Sequence, residues 1–237
     1  PPRSTLFPYT TLFRSSGVSM RKMVLVVLVG LLVVSQNSFA GDEVINQIKI
    51  LYGQRSLDPK DANTLVEGDG IEAIKKINYL GLEASRDLGS VVNLGLRMSL
   101  GTMRAKPTDS TASGTYYALL SQVDFLIMLN FPLIKSEKFK AEIVSGIGAS
   151  SSSITMKTAS QDGGFSATQS LPTAVIGAAV AVGHKYVFLR IEGGYEYSKA
   201  GSLVKTGTPT GTLEALDTSG PYVSVGILID GLKLGKL

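Results

Sequence analysis

Apolar residues recur at every second position over long stretches of this chain. Between Val91 and Thr102, one side carries Val92, Leu94, Leu96, Met98 and Leu100, and the alternate positions are small or polar. A period of two is that of a β-strand, whose successive side chains point to opposite faces. The stretch therefore predicts a strand with one apolar and one polar face.

The same alternation occurs seven more times along the chain, so eight strands are predicted in all. Their apolar faces run through the positions Ile48–Tyr52, Leu80–Ala84, Val92–Leu100, Val123–Leu129, Phe139–Ile147, Ile176–Val182, Val187–Tyr197 and Val223–Ile229.

The connectors between these segments alternate strictly between long and short. The long ones span about 58–75, 104–114, 157–168 and 199–217, and the short ones span 87–90, 132–138 and 183–185. Transmembrane barrels have an even number of antiparallel strands, short periplasmic turns and longer outer loops. The pattern predicts an all-β fold, an eight-stranded antiparallel up-and-down transmembrane β-barrel. Within the first long connector, Glu67–Lys76 is predicted to form a short helix.

Periodicity alone does not say which face points inward, because a soluble barrel or sandwich alternates as well. Two features favour an apolar exterior: the polar faces are rich in glycine, as a narrow lumen requires, and they carry charges of both signs. Facing one another across a small lumen, these charges would pair as a structural ionic cluster. A soluble exported barrel stays open as the alternative. The predicted cluster comprises Lys49, Arg55, Glu83, Arg97, Asp124, Lys140, Glu142, Arg190, Glu192 and Glu196.

The N-terminal region has the features of an export signal. Arg21 and Lys22 precede an apolar run from Met23 to Val34, and small residues stand at Ser38 and Ala40. This order predicts a signal peptide over 20–40, cleaved after Ala40, and a barrel over 41–237. Residues 1–19 resemble a translated sequencing adapter and are not expected to belong to the protein. The alternatives are a genuine N-terminal extension and a membrane anchor, for which 12 apolar residues are short of the ~20 required.

Composition narrows the possible partners. Four of the 23 basic residues precede residue 41, which leaves 19 against 19 acidic residues in the predicted mature chain. A basic surface for nucleic acid is therefore not expected. Without cysteine there is neither a disulfide framework nor a lipid-modified cysteine.

The architecture over about residues 44–232 resembles the small outer-membrane β-barrel proteins, the group with the OmpA-type transmembrane domain and the opacity porin-like proteins. One departure is the end of the chain, Leu234-Gly235-Lys236-Leu237, where such barrels commonly end in an aromatic residue. The resemblance implies location in the Gram-negative outer membrane. The partners that it implies are outer-membrane lipid and lipopolysaccharide, with periplasmic chaperones and the barrel-assembly machinery during biogenesis. A monomer is expected.

Catalytic chemistry has little support in the sequence. The single histidine, His184, falls in the shortest predicted turn, far from where a lipid-modifying barrel enzyme would need it. Glu192 and Glu196 share a strand face and are interpreted as interior salt-bridge partners of Arg97, Lys140 or Lys49, although a hydrolase pair is conceivable. No cofactor and no metal site are expected, since the loop acids lack EF-hand spacing. Ser150–Ser153 is interpreted as a strand end merging into a loop.

Tyrosines near the predicted strand ends are interpreted as an aromatic girdle. They are Tyr52, Tyr116, Tyr117, Tyr195, Tyr197 and Tyr222.

The predicted function is that of a non-enzymatic outer-membrane protein, because eight strands leave an interior just wide enough for side chains to fill. Its role would be structural or interactive, through four outer loops. A narrow porin-like channel for ions or small solutes is one alternative, and a lipid-modifying enzyme is another.

Overall fold

The computed structural model describes residues 45–108, 116–158, 162–167, 171–201, 203–208 and 212–234. The predicted signal peptide, the adapter-like segment and the last three residues lie outside these ranges. No helix within them is long and apolar enough to cross a membrane.

The fold is a single antiparallel sheet closed into a barrel. Each barrel strand pairs with the barrel strand that follows it in the chain. The last barrel strand pairs with the first, for example through Ile227 and Ile50. This closure confirms the predicted eight-stranded antiparallel up-and-down barrel. The barrel strands are β1 (Ile45–Ser56), β2 (Lys76–Leu88), β3 (Val92–Ala105), β4 (Tyr117–Lys135), β5 (Phe139–Lys157), β7 (Leu171–His184), β8 (Val187–Gly201) and β11 (Gly220–Leu234).

The connectors place all short turns at one end of the barrel and all long segments at the other. The short turns are 89–91, 136–138 and 185–186, and Lys185 adopts a positive φ of 60° in the last of them. The long connectors carry structure that the alternation did not predict. This structure comprises helix α1 (Lys60–Gly68) and the short strands β6 (Asp162–Ala167), β9 (Leu203–Gly207) and β10 (Ala215–Asp217).

The predicted helix over Glu67–Lys76 is wrong. Helix α1 begins after Pro59 and ends at Gly68, seven residues earlier than predicted at its start. Gly70 follows with φ of 71°, a left-handed conformation that stops a helix. A helix across Gly68 and Gly70 would lose about 1 kcal/mol at each glycine relative to alanine, which favours the earlier segment.

The two faces of the sheet differ sharply in burial. On the outer face, large apolar side chains are exposed, among them Ile147 (67%) and Ile176 (64%). On the inner face, Lys49 and Glu83 are fully buried, and Arg190 is 1% exposed. The barrel therefore has an apolar outside and a charged inside.

Inward-facing glycines make room for large side chains. A Cβ atom on Gly53 would lie 2.6 Å from the Tyr79 ring, and one on Gly177 would lie 2.9 Å from the Tyr222 hydroxyl. These two tyrosines form an edge-to-face pair with ring centres 6.4 Å apart. These small residues thus leave lumen space that large side chains from nearby strands fill.

Candidate functional site: the charged barrel interior

Six charged side chains form a closed ring across the middle of the lumen. Three of them are neighbours in register on adjacent strands: Lys49 opposite Glu83, and Glu83 opposite Arg97. The other three, Glu142, Arg190 and Glu192, come from β5 and β8 on the far wall. All six side chains are at most 9% exposed.

Cations and anions alternate around this ionic ring. Going round it, Lys49 contacts Glu83 at 2.8 Å, Glu83 contacts Arg97 at 2.7 Å, and Arg97 contacts Glu192 at 2.7 Å. The ring then closes from Glu192 to Arg190 at 2.7 Å, from Arg190 to Glu142 at 2.7 Å, and from Glu142 to Lys49 at 3.0 Å. Three positive and three negative charges leave the ring neutral. Each ion has two partners of opposite sign, as burial of charge requires.

Neutral side chains complete the hydrogen bonding of the ring. The Asn130 amide donates to Glu83 Oε1 at 2.8 Å, and the Tyr222 hydroxyl donates to Glu192 Oε1 at 2.9 Å. Arg97 also donates to both oxygens of Glu192, at 2.7 and 2.9 Å. Such bidentate bonds hold a guanidinium and a carboxylate in one geometry.

A second buried cluster lies nearer the long connectors. Arg55 contacts Asp124 at 3.5 Å and also forms an ion pair with Glu196. Its guanidinium donates to the Thr218 carbonyl at 3.2 Å, and the Gln122 amide donates to Asp124 at 2.6 Å. This Arg55 cluster holds one cation between two carboxylates.

The structure thus brings nine of the ten predicted interior charges into these two clusters. Glu192 forms an ion pair with Arg97, one of the three partners predicted from the sequence. Glu196 forms an ion pair with Arg55, which is not among those three. Lys140 belongs to neither cluster. It forms an ion pair with Asp230 near the short-turn end, and its ammonium lies 4.6 Å from the centre of the Phe188 ring.

Tyr222 corrects the predicted aromatic girdle. Its side chain is 6% exposed and points into the lumen, whereas Tyr52, Tyr195 and Tyr197 are 48–60% exposed on the outer face. The alternation already contained this information, because Val223 is on the outer face and Tyr222 is one position away.

The serine run is a further correction. Ser150–Ser153 lies well inside β5, not at a strand end. Ser150 and Ser152 are buried, and the Ser150 hydroxyl is 2.7 Å from the Ser198 hydroxyl across the interior.

An apolar layer closes the interior at the long-connector end, and sequence reasoning did not foresee it. Helix α1 contributes Ala62 and Val66 to this layer. Strand alternation did not suggest it, because its members come from strand ends and from three connectors. We call it the apolar cap, and its buried residues are Leu57, Ala62, Val66, Ile71, Ile74, Ile77, Ala105, Ala118, Leu120, Ile154, Met156, Phe165, Leu213 and Leu216.

Residues considered for catalysis are separated in the structure. His184 is exposed and ends β7 at the short-turn end, while the two glutamates of β8 are engaged in different ion clusters. Among the described residues, no group of three or more histidine, aspartate or glutamate side chains is arranged to hold a metal ion.

The fold and its interior define a closed eight-stranded β-barrel with an apolar exterior and an ion-paired lumen. Its structure is similar to several solved outer-membrane proteins. The attachment invasion locus protein Ail of Yersinia pestis is 14% identical, with a TM-score of 0.43 over 78% of this chain and 97% of Ail. OprG from Pseudomonas aeruginosa is 12% identical, with a TM-score of 0.46 over 80% of this chain and 97% of OprG.

Neisserial surface protein A is 12% identical, with a TM-score of 0.43 over 78% of this chain and 96% of that protein. These three are small eight-stranded outer-membrane barrels, and at such identities the similarity concerns the fold alone. No protein-family model and no curated protein sequence matches this chain.

Proposed function

We propose that this chain is an integral outer-membrane protein whose lumen is closed and which acts through its outer connectors, in a structural or surface-interaction role without catalysis. The observation that carries the proposal is the inversion of the two faces: Ile147 and Ile176 are exposed while Lys49 and Glu83 are fully buried. A soluble barrel has the opposite arrangement. Contiguous exposed apolar surface of this extent is typical of membrane or protein contact.

The exposed apolar side chains of the outer face form a belt around the barrel, and the height of this apolar belt supports contact with a lipid bilayer. On β2, the outer face carries Leu80 and Leu82, and charged residues bracket this stretch at Lys76 and Arg86. The ten residue-to-residue steps from Lys76 to Arg86, at ~3.3 Å each and tilted by ~40°, span about 25 Å along the barrel axis. That is about the height of the apolar band of outer-membrane barrels.

The absence of tryptophan permits a clean test of membrane insertion. A single tryptophan is introduced at the outer face (Ile147→Trp) or in the exposed first connector (Glu72→Trp), and each variant is refolded into vesicles containing brominated lipid. Quenching of the Ile147→Trp emission is expected, with little quenching of Glu72→Trp. Equal and weak quenching of both would contradict a membrane-spanning barrel.

Heat modifiability provides an independent measurement. The refolded protein should migrate differently on a denaturing gel before and after boiling, because a closed barrel resists the detergent at room temperature. Equal mobility of the two samples would count against a closed membrane barrel.

The non-catalytic part of the proposal is supported by the exposure of His184 and by its position at the short-turn end. Lipid A extracted from cells with and without the protein should carry the same acyl chains. A difference that disappears in His184→Ala would overturn this part.

A further inference from the structure

The Arg55 cluster carries a negative charge that its own residues do not balance. Among the described residues, Arg55 is the one cation that forms an ion pair with Asp124 or Glu196, so one positive charge faces two carboxylates. All three residues are at most 7% exposed. A charge buried away from water is strongly unfavourable unless a partner compensates it. The cluster therefore requires one further positive charge, brought by a cation or by a proton.

Gln122 brings a carbonyl oxygen without a partner to this cluster. The side chain is 2% exposed, and its amide nitrogen donates to Asp124 Oδ1 at 2.6 Å. The oxygen of the same amide group, Oε1, is buried and accepts no hydrogen bond from any described residue. It is joined through one carbon atom to the nitrogen that contacts the carboxylate, so it borders the cluster. A buried oxygen of this kind indicates a ligand or a water molecule.

Buried hydroxyl groups add further oxygen atoms beside Gln122. Ser198 Oγ lies 2.7 Å from Ser150 Oγ and 3.4 Å from the Gln122 amide nitrogen. Carboxylate and amide oxygens are the ligands that hard metal cations prefer. Asn130 also has an oxygen without a partner, but its amide donates to Glu83 in the neutral ionic ring. In the described part of the chain, unbalanced charge and an unpartnered oxygen coincide at the Arg55 cluster.

We infer that the Arg55 cluster binds one monovalent metal cation, Na⁺ or K⁺, through the carboxylates of Asp124 and Glu196 and the Oε1 atom of Gln122. A monovalent ion makes the cluster neutral, whereas a divalent ion would leave it positive. A proton on Asp124 Oδ1 would balance the charge but would meet the Gln122 amide donor, and Oε1 would stay without a partner. A water molecule bound to the ion would accept from Arg55 Nε, which also lacks a partner among the described residues.

The test measures urea unfolding of the full refolded chain in phosphatidylcholine vesicles at neutral pH and constant ionic strength. Choline chloride, whose cation is too large for the cluster, is exchanged for NaCl or KCl. An ion that binds only the folded barrel stabilises it by mass action. A rise from about 1 to about 100 mM Na⁺ or K⁺ should therefore increase the folding equilibrium constant by about tenfold or more. No increase in either salt would overturn the inference.

Variants locate the effect within the lumen. Asp124→Asn makes the cluster neutral, so its stability should not depend on Na⁺ or K⁺. The matched control Glu142→Gln removes a buried carboxylate from the ionic ring and should keep the dependence of the wild type. Gln122→Leu retains both carboxylates but loses Oε1, so it should need more of the ion for the same stabilisation. Equal dependence in Asp124→Asn and the wild type would overturn the inference.

Two measurements on the wild type do not depend on whether a variant folds. Crystals grown with thallium(I), a heavy substitute for K⁺, should show anomalous density between Asp124 and Glu196. Density elsewhere in the lumen, or none in the lumen, would contradict the site. Stability that changes with pH in choline chloride, but not with Na⁺ or K⁺, would show that a proton alone balances the cluster and would also overturn the inference.

Discussion

Arg97 and Arg104 both lie on β3, but they occupy opposite faces of the sheet and differ in burial. They are seven residues apart, an odd number, so one points into the lumen and the other to the outside. Arg97 is paired with two carboxylates inside the barrel, whereas Arg104 is exposed and stacks on Tyr117. The loss of stability when an arginine of β3 is replaced should therefore depend on the face that it occupies.

This contrast yields a stability prediction at the residue scale. Arg97→Met leaves Glu83 and Glu192 each with one cation fewer in a dry interior, so the free energy of unfolding should fall by about 3–5 kcal/mol. Arg104→Met is the matched control and should change it by less than about 1 kcal/mol. Urea unfolding in phosphatidylcholine vesicles measures both, and similar values for the two variants would contradict the ionic ring.

A pair of inward glycines gives a second residue-scale prediction. A Cβ on Gly53 would lie 2.6 Å from the Tyr79 ring and 2.6 Å from the Val223 carbonyl oxygen, whereas one on Gly81 would meet no atom closer than 3.5 Å. Gly53→Ala should therefore destabilise the barrel by about 1–3 kcal/mol through overpacking. Gly81→Ala should be neutral or stabilise it by a few tenths of a kcal/mol, about what reduced chain entropy provides. The same urea unfolding measurement separates them, and equal effects would argue against a tyrosine-filled lumen.

At the scale of elements, helix α1 is tied to the connector that follows it. The Asn63 side chain donates to the Ile74 carbonyl at 3.2 Å and accepts from the Ile74 amide at 2.7 Å, both buried. These bonds hold the helix over the apolar cap, to which Val66 contributes. The helix and its return segment therefore behave as one unit.

Removing this clamp should loosen the first connector without unfolding the barrel. Asn63→Ala leaves the backbone groups of Ile74 buried without partners, a local cost of about 1–3 kcal/mol. Amide hydrogen exchange over 60–75 should become faster by an order of magnitude or more, while exchange in the barrel strands stays unchanged. Thr64→Ala is the control, since the Thr64 hydroxyl makes an exposed bond to the Lys60 carbonyl, and it should have little effect. Equal acceleration in both variants would contradict the clamp.

At the scale of the whole molecule, the lumen is closed at several levels along its axis. From the short-turn end these levels are a small apolar cluster at Phe188, the ionic ring, the Arg55 cluster and the apolar cap. An eight-stranded barrel is just narrow enough for side chains to fill it. Opening one level would leave the others in place.

Conductance measurements test this redundancy. The refolded protein should show no reproducible unitary steps in a planar bilayer. Replacing residues 58–75 by a short Gly-Ser linker removes helix α1 but leaves both ion clusters, so the variant should also be silent. Heat modifiability confirms that the variant is folded. Unitary steps from the wild type would favour the narrow channel over the closed barrel.

The sequence by itself determined the number of barrel strands, the end of the barrel at which each connector lies, and the face that each barrel side chain occupies. These properties depend on a two-residue period and on connector length, both of which are local. The lumen position of Arg97 and that of Tyr222 follow from the same alternation.

Only the tertiary structure decided which charged side chains form ion pairs and which residues close the barrel at its long-connector end. The contact between Arg97 and Glu192 joins strands that are not neighbours, so it depends on the tilt and stagger of the closed barrel. Lys140 has the same inward phase as Glu142, yet lies too near the short-turn end to reach the ring and pairs with Asp230. The apolar cap is assembled from strand ends and connectors whose separation in sequence hides their proximity. The alternation of apolar and polar residues shows which side chains face the lumen. The tilt and stagger of the closed barrel decide which of those side chains form ion pairs with one another.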